Sequence, residues 1–424
     1  MATRVAEDSE GLLVRWSRLS LAVTAGCLPL YVVRLSAGRV HSTLLEVLIV
    51  ITIALWVAGR ATAGGWRPDP TWLGIPIALL LLAGLVGIAV SPDRLGAIGI
   101  YRAYFIEPVL LFYAAVDLFR NPDDFRVVLA GFAVGATVFA VMNLGAWVIA
   151  LATRVDIDLG NAPKALYSSP NSVALYLEPP ITLAAGFALY SGTRRDRVVA
   201  LVCLPILLAS MVATLSRGGL LTLAVLGVVG VLTLRSARLK LVILGALAIA
   251  AISILQIPQV SKRLAHQFDP SYPYNTFEGR LQIWSDTLHM LRDHPILGAG
   301  LRGYQAVMKP YVTTARHIPE LYPHNILLDM WSGLGLLGLA VFVVLVAILL
   351  WRGWSSFGRA EGLARPLLWG TSAAFITVAV HGQFDSPYFG NDLSVEFWLV
   401  AALEVAAIMA FVKPNNPAHP VLRS

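Results

Sequence analysis

Twelve long apolar runs, separated by polar segments, make up most of the chain. A helix needs about 20 predominantly apolar residues to cross the hydrocarbon core of a bilayer. The pattern predicts an all-α integral membrane protein with about 12 transmembrane helices, although Arg102 and Glu107 interrupt the fourth run. The approximate cores of the runs are residues 19–35, 43–59, 72–90, 97–119, 127–151, 172–190, 197–215, 218–234, 239–256, 325–350, 367–382 and 393–412.

The basic residues between these runs are unevenly distributed. If the N-terminus is cytoplasmic, the short inside segments contain eighteen arginines and lysines and the short outside segments contain six. Cytoplasmic loops of membrane proteins carry such an excess of positive charge. We therefore expect both termini in the cytoplasm. An error in the number of early spans would reverse the later loops and remove the asymmetry.

One outside segment, residues 257–323, is much longer than every other loop. Within it, Leu281, Trp284, Leu288 and Leu291 recur at helical spacing among polar residues, which predicts an amphipathic helix lying on the membrane surface. Pro295 is expected to end that helix. We divide the chain into residues 1–256 with nine spans, the loop 257–323, and residues 324–424 with three spans.

Composition narrows the class of protein. Hydrophobic residues make up 57% of the chain and charged residues 13%, which excludes a soluble enzyme, a disordered chain and a disulfide-stapled secreted domain. The net charge of +7 reflects basic loops rather than nucleic-acid binding. No Cys/His spacing suggests a metal site, and no cofactor is expected. A transporter with matched broken helices in two halves is not favoured, because no such symmetry is evident.

The first candidate for chemistry is the junction of the seventh and eighth runs, Ser216-Arg217-Gly218-Gly219. Ser216 can cap the eighth helix, whose N-terminus attracts anions, and glycine allows a ligand to approach the backbone. The guanidinium of Arg217 matches phosphate oxygens. From composition alone, an arginine that only extends to the lipid headgroups is an equally good interpretation.

Two more candidates lie in the long loop and directly after its end. Arg280 follows Glu278 at the start of the amphipathic helix, and His324 stands between Pro323 and Asn325 where the loop meets the tenth run. A histidine with a pKa of about 6.5 can accept a proton near neutral pH. Taken singly, each is better explained as a surface ion pair or as a histidine bonded to the helix start. Together with Arg217 they suggest two guanidinium groups and a base on one membrane face.

Several polar residues lie inside or at the ends of predicted spans, where a charge is costly. Arg102 lies near the outer face and is a further candidate for phosphate binding. Glu178 and Asp329 are expected to face the bundle interior. His381 and Asp385, at the outer end of the eleventh run, could border the same cavity, but structural hydrogen bonding is the stronger interpretation.

The order of these motifs resembles the O-antigen ligase and polymerase superfamily of bacterial membrane glycosyltransferases. The resemblance covers about residues 168–345. The segments that carry it are Ser169-Pro170-Asn171, the junction from Leu215 to Gly219, the run from Phe277 to Tyr304 and the run from Pro323 to Phe342. Each motif alone is weak, whereas the ordered set is fairly specific for the superfamily.

The resemblance implies a GT-C-like, metal-independent inverting transferase in the bacterial inner membrane, with its active site facing the periplasm. Its donor would be a glycan on undecaprenyl diphosphate. Arg217 and Arg280 would hold the donor diphosphate, Gly218 and Asn325 would lie at the substrate, and His324 would deprotonate the acceptor hydroxyl.

One dominant loop favours a ligase that uses lipid A-core as acceptor. Polymerases often have two sizeable loops, and the segment near 152–171 is short. A polymerase, or an oligosaccharyltransferase that modifies protein hydroxyls, would use similar residues. Besides these substrates, membrane lipids are the expected partners, and nucleic acid is not.

Overall fold

The computed structural model describes residues 2–37, 40–62, 71–155, 157, 162–256, 261, 276–312 and 321–413. Most of them are helical. The helices are α1 (Ala2–Gly26), α2 (Leu44–Thr62), α3 (Gly74–Val90), α4 (Arg94–Leu118), α5 (Pro122–Ala152), α6 (Pro170–Tyr190), α7 (Arg194–Ala213), α8 (Arg217–Thr233), α9 (Ala237–Leu255), α10 (Thr276–Asp293), α11 (Tyr304–Met308), α12 (Ile326–Phe357), α13 (Ala364–His381) and α14 (Asn391–Phe411).

Eleven of the twelve predicted runs coincide with helices, whereas the first, residues 19–35, is α-helical only as far as Gly26. Seven of the described helices, α2, α4, α5, α6, α7, α12 and α14, are long and apolar enough to cross a membrane, and α3 and α8 are shorter apolar helices. The described chain is therefore all-α apart from one small hairpin, as a multi-span membrane protein requires. The count of twelve crossings, the GT-C-like fold and the division at residues 256 and 323 remain predictions.

The chain departs from the expected pattern after the first helix. Helix α1 ends at Gly26 and a short 3₁₀ helix, Leu28–Val32, follows, because Pro29 has no backbone N–H to continue an α-helix. The strands β1 (Arg34–Ala37) and β2 (Val40–Thr43) then form an antiparallel hairpin in which Arg34 pairs with Thr43. The apolar pattern did not predict this hairpin.

Helices α6, α13 and α14 form the centre of the bundle. Buried residues run without a break from Asn391 to Ala407 in α14, and most of α6 from Val173 to Leu183 is buried as well. Helix α12 is interrupted at Gly335, whose φ of 69° lies in the left-handed region that favours glycine. The backbone N–H of Leu336 then donates to the Ile296 carbonyl at 2.9 Å, which ties the interruption to the long loop.

Helix ends that the sequence assigns to the outside are joined at one end of the bundle, here called the long-loop end. Their contacts include Glu46–Arg102, Thr43–Asn391, Tyr167–Asp392, Asn171–Asp385 and Asp93–Arg302. The inside segments meet at the other end, the arginine-rich end, through Arg18–Asp124, Arg60–Asp117, Arg126–Asp196 and Arg365–Tyr190. In the helices that make these contacts, the predicted outside ends therefore lie together at one end of the bundle and the predicted inside ends at the other.

The long loop contributes the predicted amphipathic helix, α10, which ends at Asp293, two residues before Pro295. Leu291 is buried, whereas Leu281 and Leu288 are nearly half exposed, as expected of a helix that faces lipid on one side. The backbone N–H of Leu301 donates to the Gly87 carbonyl at 3.1 Å, so the loop is fixed on α3. Tyr272, Tyr274 and Arg316, which the sequence also placed in this loop, lie outside the described residues.

Candidate active site

The backbone around His324 is held on both sides. Trp284 of α10 donates from Nε1 to the Pro323 carbonyl at 3.0 Å. Asn325 caps α12 by accepting from the backbone of Leu327 at 3.0 Å, and its amide donates to the Gln383 carbonyl at 3.2 Å. His324 itself has a φ of 52°, a left-handed conformation that is uncommon for residues other than glycine and is often found at functional sites.

Asp385 is the centre of the site. It lies between α13 and α14 and is 3% exposed. Nδ1 of His324 is 3.4 Å from Asp385 Oδ1, which also accepts from the hydroxyl of Tyr322 at 3.2 Å. The amide of Asn171 donates to the second carboxylate oxygen, Oδ2, at 3.1 Å, and Nη2 of Arg280 lies 3.9 Å from the same oxygen. One carboxylate thus joins the predicted base and one predicted diphosphate ligand.

The environment of Asp385 keeps this carboxylate charged. Burial alone would raise its pKa, but the hydrogen bond and charge of His324 and the charges of His381 and Arg280 outweigh burial and lower the pKa to about 2. For Tyr322, burial and the Asp385 charge raise the pKa, so its phenol remains a hydrogen-bond donor. Asp385 is therefore an anion throughout the neutral range.

An ionised Asp385 determines which nitrogen of His324 carries the proton. A carboxylate can only accept a hydrogen bond, so a neutral ring opposite it donates from Nδ1–H and has its lone pair on Nε2. This assignment follows from the partner rather than from an observed hydrogen. The Nε2 lone pair of such a ring can accept a proton, and the partner of the His324 imidazole is Asp385 rather than the start of α12.

The start of α8 is joined to the same carboxylate. As predicted, Ser216 caps this helix by accepting from the backbone N–H of Gly219 at 3.3 Å. The Ser216 hydroxyl donates to Asn171 Oδ1 at 2.9 Å, and the amide of Asn171 donates to Asp385. Arg217 is the first residue of the helix and is partly buried. The start of α8 and the His324 imidazole therefore belong to one connected arrangement of hydrogen bonds.

A second histidine–carboxylate pair lies under the first turn of α8. Nδ1 of His381 is 2.6 Å from Oε1 of Glu178, and both side chains are buried. A Cβ built on Gly218 would lie 2.5 Å from Cδ2 of His381, so the imidazole edge packs directly against the glycine backbone. Only glycine at position 218 leaves room for this ring, and a substrate contact of Gly218 remains a prediction.

Arg102 lies at the long-loop end but beside α2. Its Nη2 is 2.9 Å from Glu46 Oε2, and its Nε is 3.2 Å from Glu107 Oε1. Its side chain is 46% exposed. Two carboxylates therefore balance its charge, and phosphate binding by Arg102 remains a prediction.

An apolar cavity of about 1180 Å³ lies between α6, α7, α8 and α9. Its wall includes Leu220, one turn after Arg217, and continues along α8 to Gly230. Arg197 and Leu239 line it near the arginine-rich end. The cavity therefore follows most of the length of α8 from a point close to the predicted phosphate site.

The sequence singled out His324, Arg280 and Arg217 as candidates and favoured a structural role for His381 and Asp385, and the structure places Asp385 against His324 and near Arg280. The sequence indicated Asn171 only as part of a motif. The available signal was the placement of His381 and Asp385 four residues apart at the outer end of a span, where a polar pair is costly unless it has partners.

A family model described as O-antigen ligase matches residues 200–343, the segment that contains Arg217, Arg280 and His324. No curated protein matches the chain. The family match confirms the resemblance to the O-antigen ligase superfamily. It supports assignment to the broad class of membrane glycosyltransferases of the ligase or polymerase type, which act on lipid-linked glycans.

Proposed function

We propose that the protein is an O-antigen ligase, which transfers a glycan from undecaprenyl diphosphate to a sugar of lipid A-core without a metal ion and with inversion. The observation that carries the proposal is the position of Asp385. Its carboxylate contacts His324, lies near Arg280, and is linked through Asn171 to the start of α8. A base and a cationic anion site are thereby held together.

The donor diphosphate would be held by Arg217, Arg280 and the N-terminus of α8. Guanidinium groups pair with phosphate oxygens in a forked geometry, and a helix N-terminus favours negative charge. Charge builds on the diphosphate as its bond to the sugar breaks, so fixed positive groups stabilise the transition state more than the bound donor. We retain Arg102 as a further predicted phosphate contact and Asn325 as a predicted substrate contact, and the hydrogen bonds of Asn325 also fix the backbone next to His324.

The acceptor would react beside His324. Nε2 takes the proton of the acceptor hydroxyl while that oxygen forms a bond to the anomeric carbon. The bond from this carbon to the diphosphate oxygen breaks at the same time, and its electron pair leaves with the diphosphate. A single displacement inverts the anomeric centre. The negative charge of Asp385 stabilises the imidazolium that forms.

The apolar cavity along α8 supports a lipid-linked donor. Its wall begins one turn below Arg217, so a polyprenyl chain can enter it while the diphosphate remains at the helix start. The excess of arginine at the opposite end supports an orientation in which the long-loop end faces the periplasm and both termini lie in the cytoplasm of a bacterial inner membrane.

The direct test is transfer by the purified full-length protein. The protein would be incubated with an undecaprenyl diphosphate-linked glycan and lipid A-core, with and without EDTA. We expect a glycan–core product in both conditions and none with His324→Ala. Loss of product on chelation would contradict the metal-independent mechanism. Full activity of His324→Ala would show that His324 is not the general base.

The same incubation separates ligase from polymerase. A ligase needs lipid A-core to consume the donor, because the core supplies the attacking hydroxyl. Growth of longer lipid-linked glycans when lipid A-core is omitted would instead assign the protein as a polymerase.

A further inference from the structure

The buried pair of His381 and Glu178 has no part in the chemistry described above. Their side chains are 1% and 2% exposed, and their nearest atoms are 2.6 Å apart. Burying such a pair inside a helical bundle is expensive unless the groups are well bonded, and replacing it with apolar side chains often leaves stability unchanged. The pair therefore calls for an explanation other than stability.

The ring of His381 is oriented by Glu178. Because Nδ1 faces the carboxylate, Nε2 lies on the far side of the ring, next to the backbone of Gly218. Among the residues that the structure describes, no hydrogen-bond partner occupies Nε2. The hydroxyl of Thr222 lies beside Glu178 and donates to the Gly218 carbonyl at 2.9 Å, so carboxylate, ring and helix turn form one unit.

This unit lies under the helix start that the proposed function assigns to the diphosphate. The backbone N–H of Gly219 donates to the Ser216 hydroxyl, and the ring of His381 lies beside Gly218. His381 is also one turn from Asp385, whose backbone N–H donates to the His381 carbonyl at 3.0 Å. The two histidine–carboxylate pairs are therefore one helical turn apart, and the pair of His381 and Glu178 is the one beside the start of α8.

We propose that His381 is a third ligand of the donor diphosphate, donating from Nε2 to a phosphate oxygen while Glu178 holds Nδ1. The inference rests on the proposed function for the identity of the anion. An imidazolium between a carboxylate and a phosphate is hydrogen-bonded on both sides, which satisfies a buried charge. His324 then serves the acceptor and His381 the leaving group.

The test measures binding of farnesyl diphosphate to the detergent-solubilised full-length protein by calorimetry. In His381→Asn, the side-chain amide lies near the position that Nδ1 of the histidine occupied, and no group fills the position of Nε2. In His381→Gln, the longer side chain brings a neutral donor near the position of Nε2. We expect His381→Asn to weaken binding by about tenfold or more, because a charge-assisted hydrogen bond is lost. His381→Gln should recover part of that loss, which a purely structural role for the histidine does not predict.

Two further variants keep the test independent of folding defects. Glu178→Gln retains a hydrogen-bonding side chain but removes the charge behind the ring, so weaker binding with an unchanged melting temperature is expected. The matched control is Glu404→Gln, which removes a buried carboxylate bonded to Thr371 and Ser372 elsewhere in the bundle and should not change binding.

Equal binding by the wild type and the His381→Asn protein would overturn the inference while the proposed transfer reaction stands. Weaker binding by His381→Asn, together with no glycan transfer by the wild type, would instead remove the proposed function and retain the anion site. Absence of farnesyl diphosphate binding by the folded wild-type protein would overturn the inference.

Discussion

Replacing Asp385 with asparagine is the most informative single change, because it alters the charge of the central group and almost nothing of its size. The NH₂ group of an asparagine at position 385 can donate a hydrogen bond to Nδ1 of His324. Nδ1 must then have the lone pair, so the proton of the neutral ring is on Nε2. A ring in that tautomer cannot accept a proton from an acceptor hydroxyl at Nε2. The variant therefore removes the base while the side chain remains in place.

The expected magnitude follows from the role of the base. General base catalysis contributes about 10²–10⁴-fold, so kcat of Asp385→Asn should fall by about that factor. The charge of Asp385 interacts strongly with its neighbours, because a pKa lowered from 3.8 to about 2 corresponds to about 2 kcal/mol in favour of the charged carboxylate. Donor affinity should change less, since Arg280 is 3.9 Å from Asp385 and keeps its own charge.

The assay is the initial rate of glycan transfer at saturating donor, with donor binding and thermal unfolding measured on the same preparation. Asp293→Asn is the matched control, because Asp293 also accepts from a tyrosine hydroxyl, that of Tyr311 at 2.7 Å. A variant at position 385 that is folded, binds donor and keeps the wild-type kcat would refute the assignment of His324 as an oriented base.

Three other outcomes are expected. Ser216→Ala should lower the free energy of unfolding by about 1 kcal/mol, measured by thermal or denaturant unfolding, because α8 loses its cap. Trp284→Phe should lower kcat severalfold with little change in donor binding, since the Pro323 carbonyl loses its donor. Because folding lowers the pKa of Asp385, its contribution to stability is complete above about pH 4 and is lost as the pH falls through about 2, so stability curves of the wild type and Asp385→Asn should converge in acid.

The helices could be predicted because each depends on a local property, the length and hydropathy of a run. The same reasoning made Arg217, Arg280 and His324 candidates, because their neighbours in sequence carry the helix cap, the amphipathic pattern and the proline before the tenth run. The hairpin from Arg34 to Thr43 escaped prediction because its two strands are only four residues each.

The contacts of the site could not be predicted in the same way. Asp385 is 61 residues from His324 and 214 from Asn171, so their meeting depends on how α6, α12 and α13 pack. The interruption of α12 at Gly335 likewise depends on the long loop, whose Ile296 carbonyl accepts from the helix at that point. A hydropathy pattern contains no information about either of these long-range contacts.

The central claim is that a base and a cationic diphosphate site meet at the long-loop end. It is tested most directly by an experimental structure of the His324→Ala protein with undecaprenyl diphosphate. We predict phosphate oxygens within hydrogen-bond distance of Arg217 and Arg280, and a polyprenyl chain in the cavity along α8. A diphosphate bound at the arginine-rich end, or one that contacts neither guanidinium, would contradict the account.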